Sequence, residues 1–223
     1  MSAEIASETI CELGEGPLWH LERNALIWFD ILGNRLLVRE AGAERSWVFT
    51  EHVSAAGWFD RGRLLVASET GLGAFDLDSE EVVPLAMLES DNPVTRSNDG
   101  RADPWGGFWI STMGKRAEPG AGAIYRFHRG TVHRLIAGLT IPNAICFAAD
   151  GSCAYFADTP DGRILRQPLD GEGWPRGAPE TFVASDIAEG KPDGAVIDAE
   201  GCLWNARFGA GQVVRLAPDG RVL

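Results

Sequence analysis

The stretch "IPNAICFAADGSCAYFAD", residues 141–158, has the outline of one β-hairpin. Two apolar runs flank the pair Asp150-Gly151, and each run is too short for a helix. Asp-Gly between β-rich runs is a strong local signal for two antiparallel strands joined by a tight turn. Asn143 stands at the head of the first run. Asparagine is depleted in strands, and burying its amide without partners costs about 1–3 kcal/mol, so its position asks for a reason.

Working outward, the same unit recurs. Its heads read "EGPLWHLERNALIWFD" from Glu15, "AGWFDRGRLLVAS" from Ala56, "NDGRADPWGGFWIST" from Asn98, "NAICFAADGSCAYFAD" from Asn143 and "DGAVIDAEGCLWNAR" from Asp193. Each is a strand, a turn rich in Asp, Glu and Gly, and a second apolar strand. A third segment follows every head: "RLLVRE", "GLGAFDLD", "AIYRFHRG", "RILRQPLDG" and "QVVRLAPDG". A fourth follows the first four: "SWVFTE", "EVVPLAML", "TVHRLIAG" and "ETFVAS". Four strands per unit, repeating about every 40–50 residues, is the signature of a β-propeller blade. Long helical periodicity is absent, which argues against an α/β barrel or a Rossmann fold. The predicted fold is an all-β propeller.

The 223 residues are 45% hydrophobic and 23% charged, the composition of a soluble globular chain with enough apolar material for a core. No apolar run reaches the roughly 18–20 residues of a membrane span, and the start "MSAEIASETICELGEG" lacks a basic segment followed by an apolar one. The formal charge of −12, with no basic cluster to offset it, argues against nucleic acid as a partner. Cys11, Cys146, Cys153 and Cys202 form no CxxC pair and no finger spacing, so they read as reduced thiols of a cytoplasmic protein. The expected partner is a small molecule, with neither nucleic acid nor membrane involved.

No G-x-S-x-G elbow, HExxH pair or glycine-rich loop opening a helix is present. What remains is a coincidence of position. First strands of propeller blades line the central channel, so residues at their heads converge near the axis. Here those heads carry Glu15, the small residues "SAAG" at 54–57, Asn98, Asn143 and Asp193. Oxygen ligands of mixed charge suit Ca²⁺ or Mg²⁺ and, less well, Mn²⁺ or Zn²⁺. Singly, "NDG" and "PDG" are ordinary turn tripeptides. The copies "TPDG" at 159–162 and "APDG" at 217–220 are read as turns of outer hairpins. Arg96 falls at the channel mouth, where its planar fork of donors could recognise substrate oxygens or pair with a carboxylate of another blade. Glu118, in "KRAEPGAG", lies in the loop between the second and third strands of its unit.

At this point the chain resembles the regucalcin, gluconolactonase and luciferin-regenerating enzyme family of six-bladed propellers, from "LGEGPLWH" at 13–20 to the last residue. The motifs that carry the resemblance are "GEGP", "TRSNDGRADPWGGFWISTMG", "IPNAICFAADG" with "YFADT", and "KPDGAVIDAEGCLWNARFGAGQVVRLAPDG". It implies a divalent metal ion (Ca²⁺, Zn²⁺, Mg²⁺ or Mn²⁺) on the axis, held by Glu15, Asn143 and Asp193. It also implies substrate contacts from Arg96, Asn98 and Glu118. The sequence departs from the family in having Ala144 where a glycine is usual, "PNA" for "PNG". The ligand geometry is expected to survive this unless the position needs a positive φ. Leu223 follows directly on the third strand of the fifth unit, so the expectation is one propeller domain over 1–223, about five of six blades, truncated before the closing blade. A ring left open exposes strand edges and an apolar blade face.

The implied activity is metal-dependent hydrolysis of a sugar lactone, with Lewis acidity supplied at the lactone carbonyl. In that scheme Asp193 takes a proton from the attacking water, while Arg96 and Asn98 hold sugar hydroxyls and the ring oxygen. The alternatives are a related metal-dependent esterase or phosphotriesterase, and a non-catalytic calcium-binding propeller.

Overall fold

The computed structural model describes residues 4–223, and among these every regular element is a strand. The first sheet is β1 (Gly14–His20), β2 (Ala25–Asp30), β3 (Arg35–Glu40) and β4 (Ala43–Val48). The second is β5 (Val53–Trp58), β6 (Arg63–Ser68), β7 (Gly71–Asp76) and β8 (Val82–Met87). The third is β9 (Thr95–Ala102), β10 (Phe108–Gly114), β11 (Gly122–His128) and β12 (Thr131–Leu139). The fourth is β13 (Pro142–Phe147), β14 (Cys153–Asp158), β15 (Ile164–Pro168) and β16 (Glu180–Val183). The fifth has three strands, β17 (Lys191–Ile197), β18 (Leu203–Phe208) and β19 (Gln212–Leu216). Each sheet is an antiparallel meander in chain order, which is the blade arrangement that the repeat predicts.

The burial of both blade faces explains the unbroken apolar runs. Side chains alternate between the two faces of a strand. In β6, Leu64 and Val66 join Ile27 and Phe29 of the first sheet, whereas Leu65 and Ala67 meet Phe108 and Ile110 of the third. Trp109 and Ile124 pack on Ile145 and Phe156 at the next interface, and Cys146 and Tyr155 share the fourth with Leu203 and Leu216. A strand buried on both sides carries no polar alternation, so "RLLVAS" has the same reading from either face. Truncating a fully buried ring such as Phe108 would cost about 3–5 kcal/mol. Cys146, Cys153 and Cys202 are buried, Cys11 is half-buried, and all four are free thiols.

The inner strands β1, β5, β9, β13 and β17 pack one on the next around the axis. A cleft of about 700 Å³ separates the faces of the first and fifth sheets. Every inner strand breaks register near its head. The breaks lie between Glu15 and Leu18, Val53 and Ala55, Ser97 and Gly100, Asn143 and Cys146, and Pro192 and Ala195. Such bulges bend a strand and re-aim its side chains, which is how five strands turn polar groups toward one axis. At the bulges of β1 and β13 the residues in corresponding positions, Gly16 and Ala144, both have φ of 59°. Ala144 therefore occupies a position that does need a positive φ. The family's glycine is replaced at a strain of roughly 1–2 kcal/mol, with the alanine methyl buried in the fourth interface.

Candidate functional site

The register defines how the predicted residues are presented. Glu15 and Asn143 occupy the last paired rung before their bulges, opposite Phe29 and Ala157. Asn98 and Asp193 come one residue later, inside theirs. The heads thus fall in two positions one residue apart, where the sequence reading expects a single shared one.

Asn143 is buried, and its amide is satisfied at both ends. Its Oδ1 accepts from Asn98 Nδ2 at 3.1 Å, and its Nδ2 donates to Thr159 Oγ1 at 2.9 Å. Asn98 Nδ2 also donates to the Pro142 carbonyl at 3.2 Å. Asn98 Oδ1 accepts from Arg96 Nη1 at 2.9 Å, and Thr159 Oγ1 donates to the Pro192 carbonyl at 2.8 Å. These bonds remove the desolvation penalty that makes asparagine a poor strand residue. They also correct one expectation. Thr159 opens the "TPDG" copy, yet it sits in the β14–β15 connection beside the inner strands, in direct contact with Asn143.

The carboxylates lie in the opposite condition. Glu15, Asp99 and Asp193 line the cleft between the first and fifth sheets. Burial raises the Glu15 carboxyl to about 8, the charges of Asp193 and Asp99 add to the rise, and Arg96 and the Gly16 amide oppose it. Asp193 is likewise raised by burial, against the Gly194 amide. Burial pushes Asp99 up to about 6, with Arg101 and the amides of Ile145 and Gly100 pulling down and Asp193 pushing up. Asp99 Oδ2 accepts from the Ile145 amide at 2.7 Å, tying the third sheet to the fourth. The sequence reading passed over Asp99. Its signal is the second polar residue of "NDG", hidden because that tripeptide is so common in turns.

Arg96 is buried, and its Nη1 is used within its own strand, on Asn98 Oδ1 and the Ser97 carbonyl at 2.7 Å. Burial lowers its pKa while Glu15 and Glu69 favour its charge. Among the described residues it forms no ion pair, so the guanidinium is held in place without being neutralised. Glu118 lies in the β10–β11 loop, half-buried, with Oε2 accepting from the Arg116 amide at 3.0 Å and the carboxylate folded back over Gly114. The structure thus joins Arg96, Asn98 and Asn143 by hydrogen bonds and Glu15, Asp99 and Asp193 by shared field. It leaves Glu118 turned on its own loop.

Among the described residues no three His, Cys, Asp or Glu side chains form a ready-made metal cage. The donors available are carboxylate oxygens and one amide oxygen. They are short of positive charge, which is the chemistry a hard divalent cation satisfies. No described helix is long and apolar enough to cross a membrane.

Comparison with known proteins follows the same line. The model of the SMP-30/Gluconolactonase/LRE-like region matches residues 13–223. A crystal structure described as a calcium-binding protein, regucalcin, from Agrobacterium tumefaciens strain C58 superposes with a TM-score of 0.94 at 42% identity. The match covers 97% of this chain and 75% of that one. The L-arabinolactonase of Azospirillum brasilense is 35% identical, over 98% of this chain and 74% of the relative. The 6-deoxy-6-sulfogluconolactonase of Pseudomonas putida is 34% identical, over 95% of this chain and 74% of the relative.

Proposed function

The chain belongs to the SMP-30/gluconolactonase/LRE-like family, and from that premise we propose that it hydrolyses a sugar lactone with the help of a divalent metal ion. The observation that carries the reading is the group of carboxylates, Glu15, Asp193 and Asp99, that line one cleft, their proton affinities raised by burial and, for Glu15 and Asp99, also by the charge of Asp193. Relatives named as lactonases for arabinose-type and sulfogluconate-type lactones support the substrate class. Glu15, Asn143 and Asp193 would hold the ion, Ca²⁺, Mg²⁺, Mn²⁺ or Zn²⁺. When bound, it supplies Lewis acidity at a carbonyl.

The protein's own groups do the rest. Arg96, fixed by Asn98 and the Ser97 carbonyl, presents its remaining donors to sugar hydroxyls, and Asn98 Oδ1 keeps a second lone pair for the same task. The Asp193 carboxylate, made more basic by burial, accepts a proton from water as its oxygen attacks the lactone carbonyl. The ring C–O bond then breaks, and the released alkoxide takes that proton back from Asp193 to leave the hydroxy acid. Glu118 reaches substrate only if its loop turns outward.

The test is a panel of aldonolactones, with aryl esters and organophosphates beside them, assayed with each metal and after chelation. The reading expects metal-dependent turnover of lactones that Asp193→Ala abolishes. Full activity of Asp193→Ala, or turnover of esters and phosphotriesters alone, would overturn it. Calcium binding without turnover of any substrate would favour a non-catalytic binding propeller.

A further inference from the structure

The chain of hydrogen bonds through Asn143 has a fixed direction, and both of its ends determine it. At one end stands the Pro192 carbonyl, which can only accept, so Thr159 Oγ1 spends its proton there at 2.8 Å. Thr159 must then accept from its other neighbour, so the group of Asn143 facing it, 2.9 Å away, is Nδ2. At the other end stands Arg96, which can only donate, so the atom of Asn98 it meets at 2.9 Å is Oδ1. Asn98 therefore turns Nδ2 to the Pro142 carbonyl and to Asn143, where it meets Oδ1 at 3.1 Å. Starting from either end gives the same orientation for the Asn143 amide.

That orientation decides whether Asn143 can serve a cation. An amide offers one oxygen and one nitrogen of nearly equal size, and only the oxygen ligates. Resting on the reading of a divalent site above, we propose that Thr159 is a positioning residue that, with Asn98 on the oxygen side, locks Asn143 so that the second lone pair of its Oδ1 is available to the ion. It acts by occupying Nδ2 from the β14–β15 connection and anchoring itself on the backbone next to Asp193. Its hydroxyl thereby joins the neutral candidate ligand of the fourth blade to the strand that carries the acidic ligand of the fifth. Partners of this kind typically change metal affinity by about 10–100-fold when removed.

The experiment is Mn²⁺ binding to the full chain, read by the loss of the free-ion EPR signal, with Ca²⁺ by calorimetry. Thr159→Val removes the hydroxyl at constant shape and is expected to weaken Mn²⁺ about 10–100-fold, while Thr159→Ser keeps the affinity within a few fold. Asn143→Asp makes both atoms of the ligand oxygen, so orientation no longer matters. In that background Thr159→Val is expected to leave Mn²⁺ affinity unchanged, a result that a merely structural role would not give. If Thr159→Val folds poorly, the comparison of Thr159→Ser with Thr159→Ala in both backgrounds supplies the same cycle. Wild-type affinity in Thr159→Val, or an equal loss in both backgrounds, overturns the role of Thr159 while leaving the metal site standing. Absence of Mn²⁺ and Ca²⁺ binding by the wild-type chain overturns the divalent reading, and this inference with it.

Discussion

Acids at the two ends of the inner strands stand in opposite states, most plainly in β9 and β17, which carry one at each end. At the far ends, Asp60, Asp103, Asp150 and Asp198 close the turns that lead to the second strands. Asp60 Oδ1 accepts from the amides of Gly62 and Arg63, and Asp103 Oδ1 from those of Trp105 and Gly107. Asp150 holds Ser152, and Asp198 holds Glu200 and Cys202 while also taking Trp204 Nε1 and Arg215. The Asp198 carboxyl is accordingly held well below the usual range, first by the Trp204 indole and further by the Cys202 amide and Arg215. At the strand heads, Glu15, Asp99 and Asp193 are half-buried along one cleft, and their proton affinities rise. The same residue type is structural at one end and held in readiness at the other. The difference is desolvation at the heads, against a set of N–H donors converging on one carboxylate at the far ends.

The largest effect expected from disturbing this arrangement is steric. Gly16 shares its φ of 59° with Ala144, but a Cβ on Gly16 would lie 2.4 Å from the Ser54 carbonyl oxygen. Overpacking and the left-handed backbone add, so Gly16→Ala should destabilise by about 3–5 kcal/mol in urea denaturation. A loss below about 1 kcal/mol would show that the two bulges are not tightly packed together.

The next effect tests the electrostatic contrast by its sign. Between the unfolded value of 4.5 and the folded value of about 8, the folded chain holds the Glu15 proton more tightly than the unfolded one. In metal-free protein, stability therefore falls as pH rises through that window, and Asp99 adds the same trend from 3.8 to about 6. Glu15→Gln should remove much of the slope and stabilise metal-free protein at pH 8 by on the order of 2–4 kcal/mol. Asp198→Asn should act oppositely. Its folded pKa is depressed, so its contribution is present above 3.8 and lost as pH falls, and the variant should melt below wild type at pH 7. If both variants shift stability in the same direction, the contrast between the two strand ends fails.

The smallest effect concerns the family's missing glycine. Ala144→Gly relieves the positive φ and should raise the unfolding free energy by about 0.5–1 kcal/mol, less whatever the buried methyl contributes. Destabilisation instead would mean that packing of the methyl outweighs the backbone strain.

The blades were legible in the sequence because each strand is apolar on both faces and each turn has its own chemistry. "RLLVRE" is β3 residue for residue, and "GLGAFDLD" runs past the end of β7 only by Leu77 and Asp78. The candidate site was legible only in part. Glu15, Asn98, Asn143 and Asp193 stood out as polar residues at strand heads, where an apolar or β-branched residue is the ordinary choice. Their one-residue offset did not, because bulges are set by local backbone geometry that the repeat alone does not encode. Asp99 and Thr159 were hidden for a different reason. Each belongs to a tripeptide or tetrapeptide that is common in turns, and only burial and contact separate a turn residue from a site residue. The positive φ at position 144 entered only as a condition, since the alanine there breaks the glycine rule that would have announced it.

The most direct test of the central claim is calorimetric titration of metal-free protein with Ca²⁺ in buffers of different ionisation enthalpy, between pH 6 and 8.5, for wild type, Glu15→Gln and Asp193→Asn. The account predicts one ion per chain, with protons released on binding and affinity rising toward pH 8 as the Glu15 carboxyl ionises. It further predicts that both substitutions abolish the binding. Binding of wild-type strength by either variant, or wild-type binding without proton release below pH 8, would contradict it.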